Sequence, residues 1–178
     1  MKKEMGNLDH NQVDFEHTHE RLNLLLTCGS WRKDTMVRQL PRLLEPFGIR
    51  SLRAETGEEA LQMIDEQDIH IAIVDLSIPL KSGEGIKRPG GERVLQLLRR
   101  ITPQPPTIVI RPRQSTAREN ARSLARSLQE GAFTVVDRPA MLETLLDALH
   151  RAMKRHYAGR WPATTRWNPT TNEEEHTS

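Results

Sequence analysis

Four apolar residues, Ile71, Ala72, Ile73 and Val74, run without interruption into Asp75, and Pro79 stands four residues beyond the acid. A run this short and rich in β-branched residues has the length of a strand. Its lack of polar alternation fits a strand covered on both faces, as in a parallel sheet. In open parallel sheets, ligands and chemistry gather just outside the carboxyl ends of the strands. Asp75 is therefore a carboxylate at the place where such a fold works. It also reads simply as a polar residue closing a strand.

The same unit recurs along the chain. Leu22–Leu26 is a first strand, followed by a loop at Thr27–Ser30. Asp34 can cap a helix whose apolar positions Met36, Val37, Leu40, Leu43 and Leu44 recur at helical spacing, with Pro41 expected to kink or break it. Gly48 ends that helix and Ile49–Leu52 is a second strand. Thr56 and Glu59 form a capping box for a second helix carrying Ala60, Leu61 and Ile64 on its inner face.

After the central strand comes a long loop rich in Gly and Lys. A third helix then spans Glu92–Ile101, stopped by Pro103, Pro105 and Pro106. Thr107–Ile110 is a fourth strand. Ser115 can cap a fourth helix reaching Glu130, with Ala117, Ala121, Leu124, Ala125 and Leu128 expected to face inwards and Gly131 to close it. Phe133–Val136 is a fifth strand. Pro139 opens a last helix whose Leu142, Leu145, Leu146, Leu149 and Met153 recur at three and four. Strand and helix thus alternate five times. That order predicts one α/β domain of three α/β/α layers, with right-handed crossovers and a five-stranded parallel sheet.

The expected organisation is a disordered lead-in over 1–20, a domain over 21–157 and a disordered tail over 158–178, where Trp161 and Trp167 are available for docking. His17 and His19 lack a third ligand nearby and fit a solvated tail better than a metal site. No apolar run approaches the ~20 residues needed to span a bilayer. The N-terminus lacks the apolar centre of a secretion signal. A single cysteine rules out an internal disulfide framework and suits the cytoplasm. Formal net charge is only +2, but it is unevenly spread: residues 54–84 carry eight acids against Lys81, and 85–126 carry ten Lys or Arg against Glu92 and Glu119. Such a basic stretch meets an acidic protein or nucleic acid. Scarce aromatics and the absence of a recognition motif disfavour nucleic acid.

Five β–α units, with an Asp ending the third strand and Pro four residues later, resemble the receiver domain of two-component response regulators. TGEEAL at 56–61 is similar to the start of that family's second helix. GAFTVVDRPA at 131–140 resembles its Gly-Ala, fifth-strand, Lys-Pro segment. The resemblance covers roughly 21–155 and implies a flavodoxin-like, doubly wound sheet with strand order 2-1-3-4-5. It also implies that Asp75 is the candidate phosphoacceptor for a histidine kinase.

Departures from the family pattern mark the chain as atypical. The acidic pair that holds Mg²⁺ after the first strand corresponds to Cys28, Gly29 and Ser30, so Mg²⁺ binding is expected to be weakened, with Asp34 as the one acid able to swing in. The hydroxyl residue ending the fourth strand corresponds to Arg111, and the Lys ending the fifth to Arg138. Both arginines are expected beside Asp75 as phosphate-contacting or switch residues. There they would make a standing ion pair that imitates the phosphorylated state, unless they snorkel to solvent. Gly83 matches a family glycine, but the next helix starts about eight residues late, which makes 84–91 an insertion beside the site.

The implied function is an atypical single-domain response regulator acting by protein–protein contact in a phosphorelay, and not an enzyme. Its expected partners are a histidine kinase or a downstream signalling protein, or a second copy through the face of the fourth helix, fifth strand and fifth helix. On that face Arg118, Arg122 and Arg126 form one stripe and Glu143 and Asp147 another. The competing readings are a basic nucleic-acid-binding surface and a flavodoxin-like enzyme with Cys28 as nucleophile. The second lacks a histidine near a strand's carboxyl end to activate the thiol.

Overall fold

The computed structural model describes residues 21–28, 35–83, 89–140 and 142–158. In chain order these form β1 (Leu22–Thr27), α1 (Thr35–Leu44), β2 (Ile49–Ala54), α2 (Gly57–Glu66), β3 (Ile71–Asp75), α3 (Gly91–Leu98), β4 (Thr107–Arg111), α4 (Ala117–Gln129), β5 (Thr134–Asp137) and α5 (Leu142–Tyr157). All strand pairs are parallel, in the order β2-β1-β3-β4-β5, with β3 at the centre. The predicted architecture, topology and central placement of Asp75 are all present. The tails, the Asp34 cap and residues 84–88 of the insertion lie outside the described residues.

Alternation along each strand builds two cores, one on each face of the sheet. Leu24 and Leu26 of β1, Ile71 and Ile73 of β3, and Ile108 and Ile110 of β4 face α1 and α5. There they meet Leu40, Leu44, Leu145, Leu149 and Met153. The intervening residues Leu25, Ala72 and Val74 face α2 and α3, where they meet Ala60, Val94 and Leu98. Each such buried Leu, Ile, Val or Met side chain contributes about 1.5–3 kcal/mol. β3 is buried at every position, as its unbroken apolar run requires.

Local chemistry explains most boundaries. The Thr56 hydroxyl accepts from Glu59 N at 3.1 Å, while the Glu59 carboxylate reaches back to Glu55 N at 2.7 Å, one residue before the cap itself. Thr116, one residue after the expected Ser115, caps α4 by accepting from Glu119 N at 3.2 Å. Gly131 has φ +96°, a value only glycine adopts freely, and lets the chain turn from α4 into β5. Pro41 lies inside α1 without breaking it, and the helix tightens afterwards into a 3₁₀ turn at Glu45–Phe47.

The largest departure is α4. Its apolar positions do not form an inner face: Leu124 is 38% exposed and Leu128 48%, and Ala117, Ala121 and Ala125 are also exposed. Ser127 is its buried residue. Helical spacing fixes that these residues share one face but not that the sheet reaches it. Here the two cores are completed by α1, α2, α3 and α5, and α4 adds no side chain to either.

Candidate functional site

The carboxyl ends of β1, β3, β4 and β5 bring together Thr27, Asp75, Arg111, Asp137 and Arg138. Asp75 is fully buried. Its backbone N–H donates to the Thr27 hydroxyl at 2.7 Å, and that hydroxyl donates on to the Ile73 carbonyl at 3.4 Å. One carboxylate oxygen, Oδ1, accepts from the Ser77 amide at 2.8 Å, which fixes the turn after the strand. The other, Oδ2, accepts from Nη2 of Arg138. Strand order puts β4 between β3 and β5, so Arg138 reaches across the end of β4 to make this pair.

The two arginines expected beside Asp75 therefore part company. Arg138 joins it, as a standing ion pair demands. Arg111 does not: its side chain turns to the other side of β4. There Nε donates to Asp137 Oδ1 at 2.6 Å, Nη1 to the Asn120 carbonyl at 2.9 Å and Nη2 to Asn120 Oδ1 at 2.6 Å. The physical reason is saturation. A guanidinium has a fixed fork of donors, and a carboxylate plus an amide oxygen and a carbonyl match it at a site where it is 2% exposed.

Neither Asp137 nor Asn120 carries a sequence signal, since each gains its role from what tertiary packing places opposite it. Thr27 was legible in principle. It closes β1 just as Asp75 closes β3, and β1 pairs with β3.

Loop geometry holds the site from the other side. The segment after Asp75 folds back on itself: Gly90 N donates to the Ile78 carbonyl at 2.7 Å, and Pro79 and Pro89 form a bridge. The Pro79 and Leu80 carbonyls accept from Gly57 N at 2.8 Å and Glu58 N at 3.0 Å, the first free donors of α2. The Pro79–Leu80 turn that precedes the insertion is thus stapled across the start of α2. Gly91 then opens α3 so close to Asp75 that a Cβ there would lie 2.5 Å from the Asp75 carbonyl oxygen and from Leu76 Cα. Gly91, not Gly83, is the glycine this packing needs. Gly83 stands in open space with φ +82°.

Cys28 is fully buried, with Sγ 3.7 Å from the carbonyls of Leu26 and Ala54. Burial pushes its thiol up from the ordinary value, outweighing the opposing pull of Arg53, so the nucleophilic thiolate is disfavoured. Mg²⁺ calls for several hard oxygen ligands. Among the described residues, no group of three or more His, Cys, Asp or Glu side chains can hold a metal. The Asp75 carboxylate is engaged by Arg138 and Ser77, and Cys28 offers soft sulfur. The described donor set does not fit that cation.

On the candidate contact face, Arg118 and Arg122 are exposed on α4 and Glu143 on α5. Arg126 is engaged within the chain, by Glu92 at 2.8 Å and Glu130 at 3.1 Å. Asp147 pairs with Arg151 at 3.2 Å.

A buried aspartate closing the central strand of a 2-1-3-4-5 sheet, met by a basic residue that directly follows the fifth strand, defines a receiver-type signalling module. The chain belongs to the response regulator receiver domain family, which it matches over residues 33–150. The fold is shared with a response regulator receiver domain protein from Clostridium thermocellum, at 23% identity and TM-score 0.56, covering 75% of this chain and 95% of that one. It is also shared with a CheY-like receiver domain protein from Methanospirillum hungatei, at 20% identity and TM-score 0.56, covering 76% and 95%. A signal receiver domain from Vibrio parahaemolyticus matches at 20% identity and TM-score 0.57, covering 76% and 92%. No curated protein matches the chain. Receiver domains serve two-component signalling by meeting histidine kinases or downstream proteins and are in general not enzymes. Among the described residues, no helix is long and apolar enough to cross a membrane.

Proposed function

We propose that this receiver works in the cytoplasm as an atypical response-regulator module that signals by protein contact, with Asp75 phosphorylated weakly or not at all. The Arg138–Asp75 ion pair carries this reading. A buried carboxylate already neutralised by a guanidinium holds the electrostatic arrangement that a phosphoryl group and its counter-charge would otherwise create. The exposed α4 surface supports contact as the output. Leu124 and Leu128 offer exposed apolar area on α4, which also exposes Arg118 and Arg122 on another part of its surface, and α5 exposes the acidic Glu143. The partner is a kinase, a downstream signalling protein or a second copy, and a two-fold pairing sets these charges opposite each other. Each surface pair is worth only about 0–1 kcal/mol, so the charges set register and the leucines supply affinity.

Incubation with a small phosphodonor and Mg²⁺ tests the chemistry. Labelling of Asp75 is expected to stay low in the natural chain and to rise when Cys28 and Gly29 are both changed to Asp. Efficient labelling of the natural chain overturns the reading. Sedimentation of the natural protein and of Arg122→Glu tests self-association. A dimer indifferent to both the substitution and added salt removes α4 as the contact between copies.

A further inference from the structure

α4 has an unusual problem: a helix normally gains its stability from an apolar face laid against the core, and this one has little such burial. Arg111 supplies another attachment. It is the last residue of β4, a fully enclosed guanidinium that grips both the main chain and the side chain of Asn120 in the first turns of α4, while Asp137 of β5 holds its third edge. The other charged tie on the helix, Arg126 to Glu92, is solvent-exposed and weak.

We propose that Arg111 is the positioning residue for α4. It latches the helix to the ends of β4 and β5, so the α4 surface is set by Arg111 independently of the charge state of Asp75. This deepens the reading of α4 as a contact face and rests on it for its biological meaning, although the latch itself stands on the geometry alone. The Asp75 carboxylate lies on the far side of β4, bonded to Arg138 and Ser77. The described links between them are main-chain ones: Arg138 N donates to the Arg111 carbonyl at 3.0 Å, and Leu76 N donates to the carbonyl of Ile110, the residue before Arg111, at 2.9 Å, so neither link passes through the Asp75 carboxylate. A guanidinium is suited to the latch because its planar fork binds three acceptors at once and keeps its charge at any accessible pH.

Hydrogen exchange on the full chain, read for the amides of 121–129, tests the latch. Arg111→Met is expected to speed their exchange by about tenfold or more through a local opening that urea hardly affects, while the amides of β1 and β3 stay slow. Asn120→Ala, at a partly exposed helix position that does not threaten the core, is expected to act in the same direction. Arg111→Lys should recover part of the protection. Asp75→Asn should leave α4 exchange within about twofold of the natural chain. Unchanged α4 exchange in Asn120→Ala and in whatever Arg111→Met folds overturns the latch. Equal acceleration by Asp75→Asn overturns its independence from Asp75. Sedimentation that excludes α4 as a contact face would leave the exchange result standing, so the two ideas fail separately.

Discussion

Asp137 and Arg138 are neighbours in sequence, yet their side chains serve opposite sides of β4. Asp137 takes Nε of Arg111 at 2.6 Å, and Arg138 reaches past the strand to Asp75. Alternation of side chains at a strand end makes this possible. One dipeptide thereby closes two charge pairs, one at the candidate phosphoacceptor and one at the foot of α4.

Arg138→Met takes the guanidinium from a carboxylate that is fully buried. Removing one member of a buried pair is expected to cost about 3 kcal/mol in urea unfolding, and Arg138→Lys distinctly less. A loss below about 0.5 kcal/mol for the methionine variant would mean that the pair contributes nothing to the folded state.

Thr27→Val keeps the shape of the side chain and deletes the hydroxyl that accepts from Asp75 N. The expected cost is about 1–2 kcal/mol, since a buried backbone donor loses its acceptor. The measurement is the urea midpoint at unchanged slope.

Gly91→Ala and Gly83→Ala separate contact from conformation. At Gly91 a methyl group collides with backbone at 2.5 Å, which must shift, at about 3 kcal/mol. At Gly83 the space is open and only the positive φ is penalised, at about 1–2 kcal/mol. The reverse order would mean that α3 does not pack on the Asp75 turn as described.

Cys28 gives a pH dependence with a definite sign. Its folded-state value is raised by burial, so its contribution is fully present below the unfolded thiol value of about 8.5. It is lost as pH rises through the higher folded value. Stability should fall on the alkaline side, and Cys28→Ala should flatten that fall. Alkylation of the natural protein at pH 8 should be slow until urea unfolds it; fast labelling of the folded chain would contradict the buried thiol.

The sequence alone determined the alternation of elements, the parallel sheet and the central place of Asp75. Those features follow from local periodicity: an unbroken apolar run at 71–74, apolar residues at helical spacing elsewhere, and turn residues between them. The Arg138–Asp75 pair was also legible, because both residues close strands whose carboxyl ends share one edge of a parallel sheet.

Tertiary structure alone decided the rest. The pattern of α4 names a face but not what lies opposite it, and here nothing in either core does, so Leu124 and Leu128 remain exposed. The sheet sets a carboxylate on either side of Arg111, Asp75 on β3 and Asp137 on β5. Which one it takes depends on the side of β4 to which its chain is directed and on Asn120 arriving there from α4. The role of Gly91 is hidden for the same reason: its close approach to the Asp75 carbonyl is a contact between residues sixteen apart in sequence, and local spacing carries no record of such a distance.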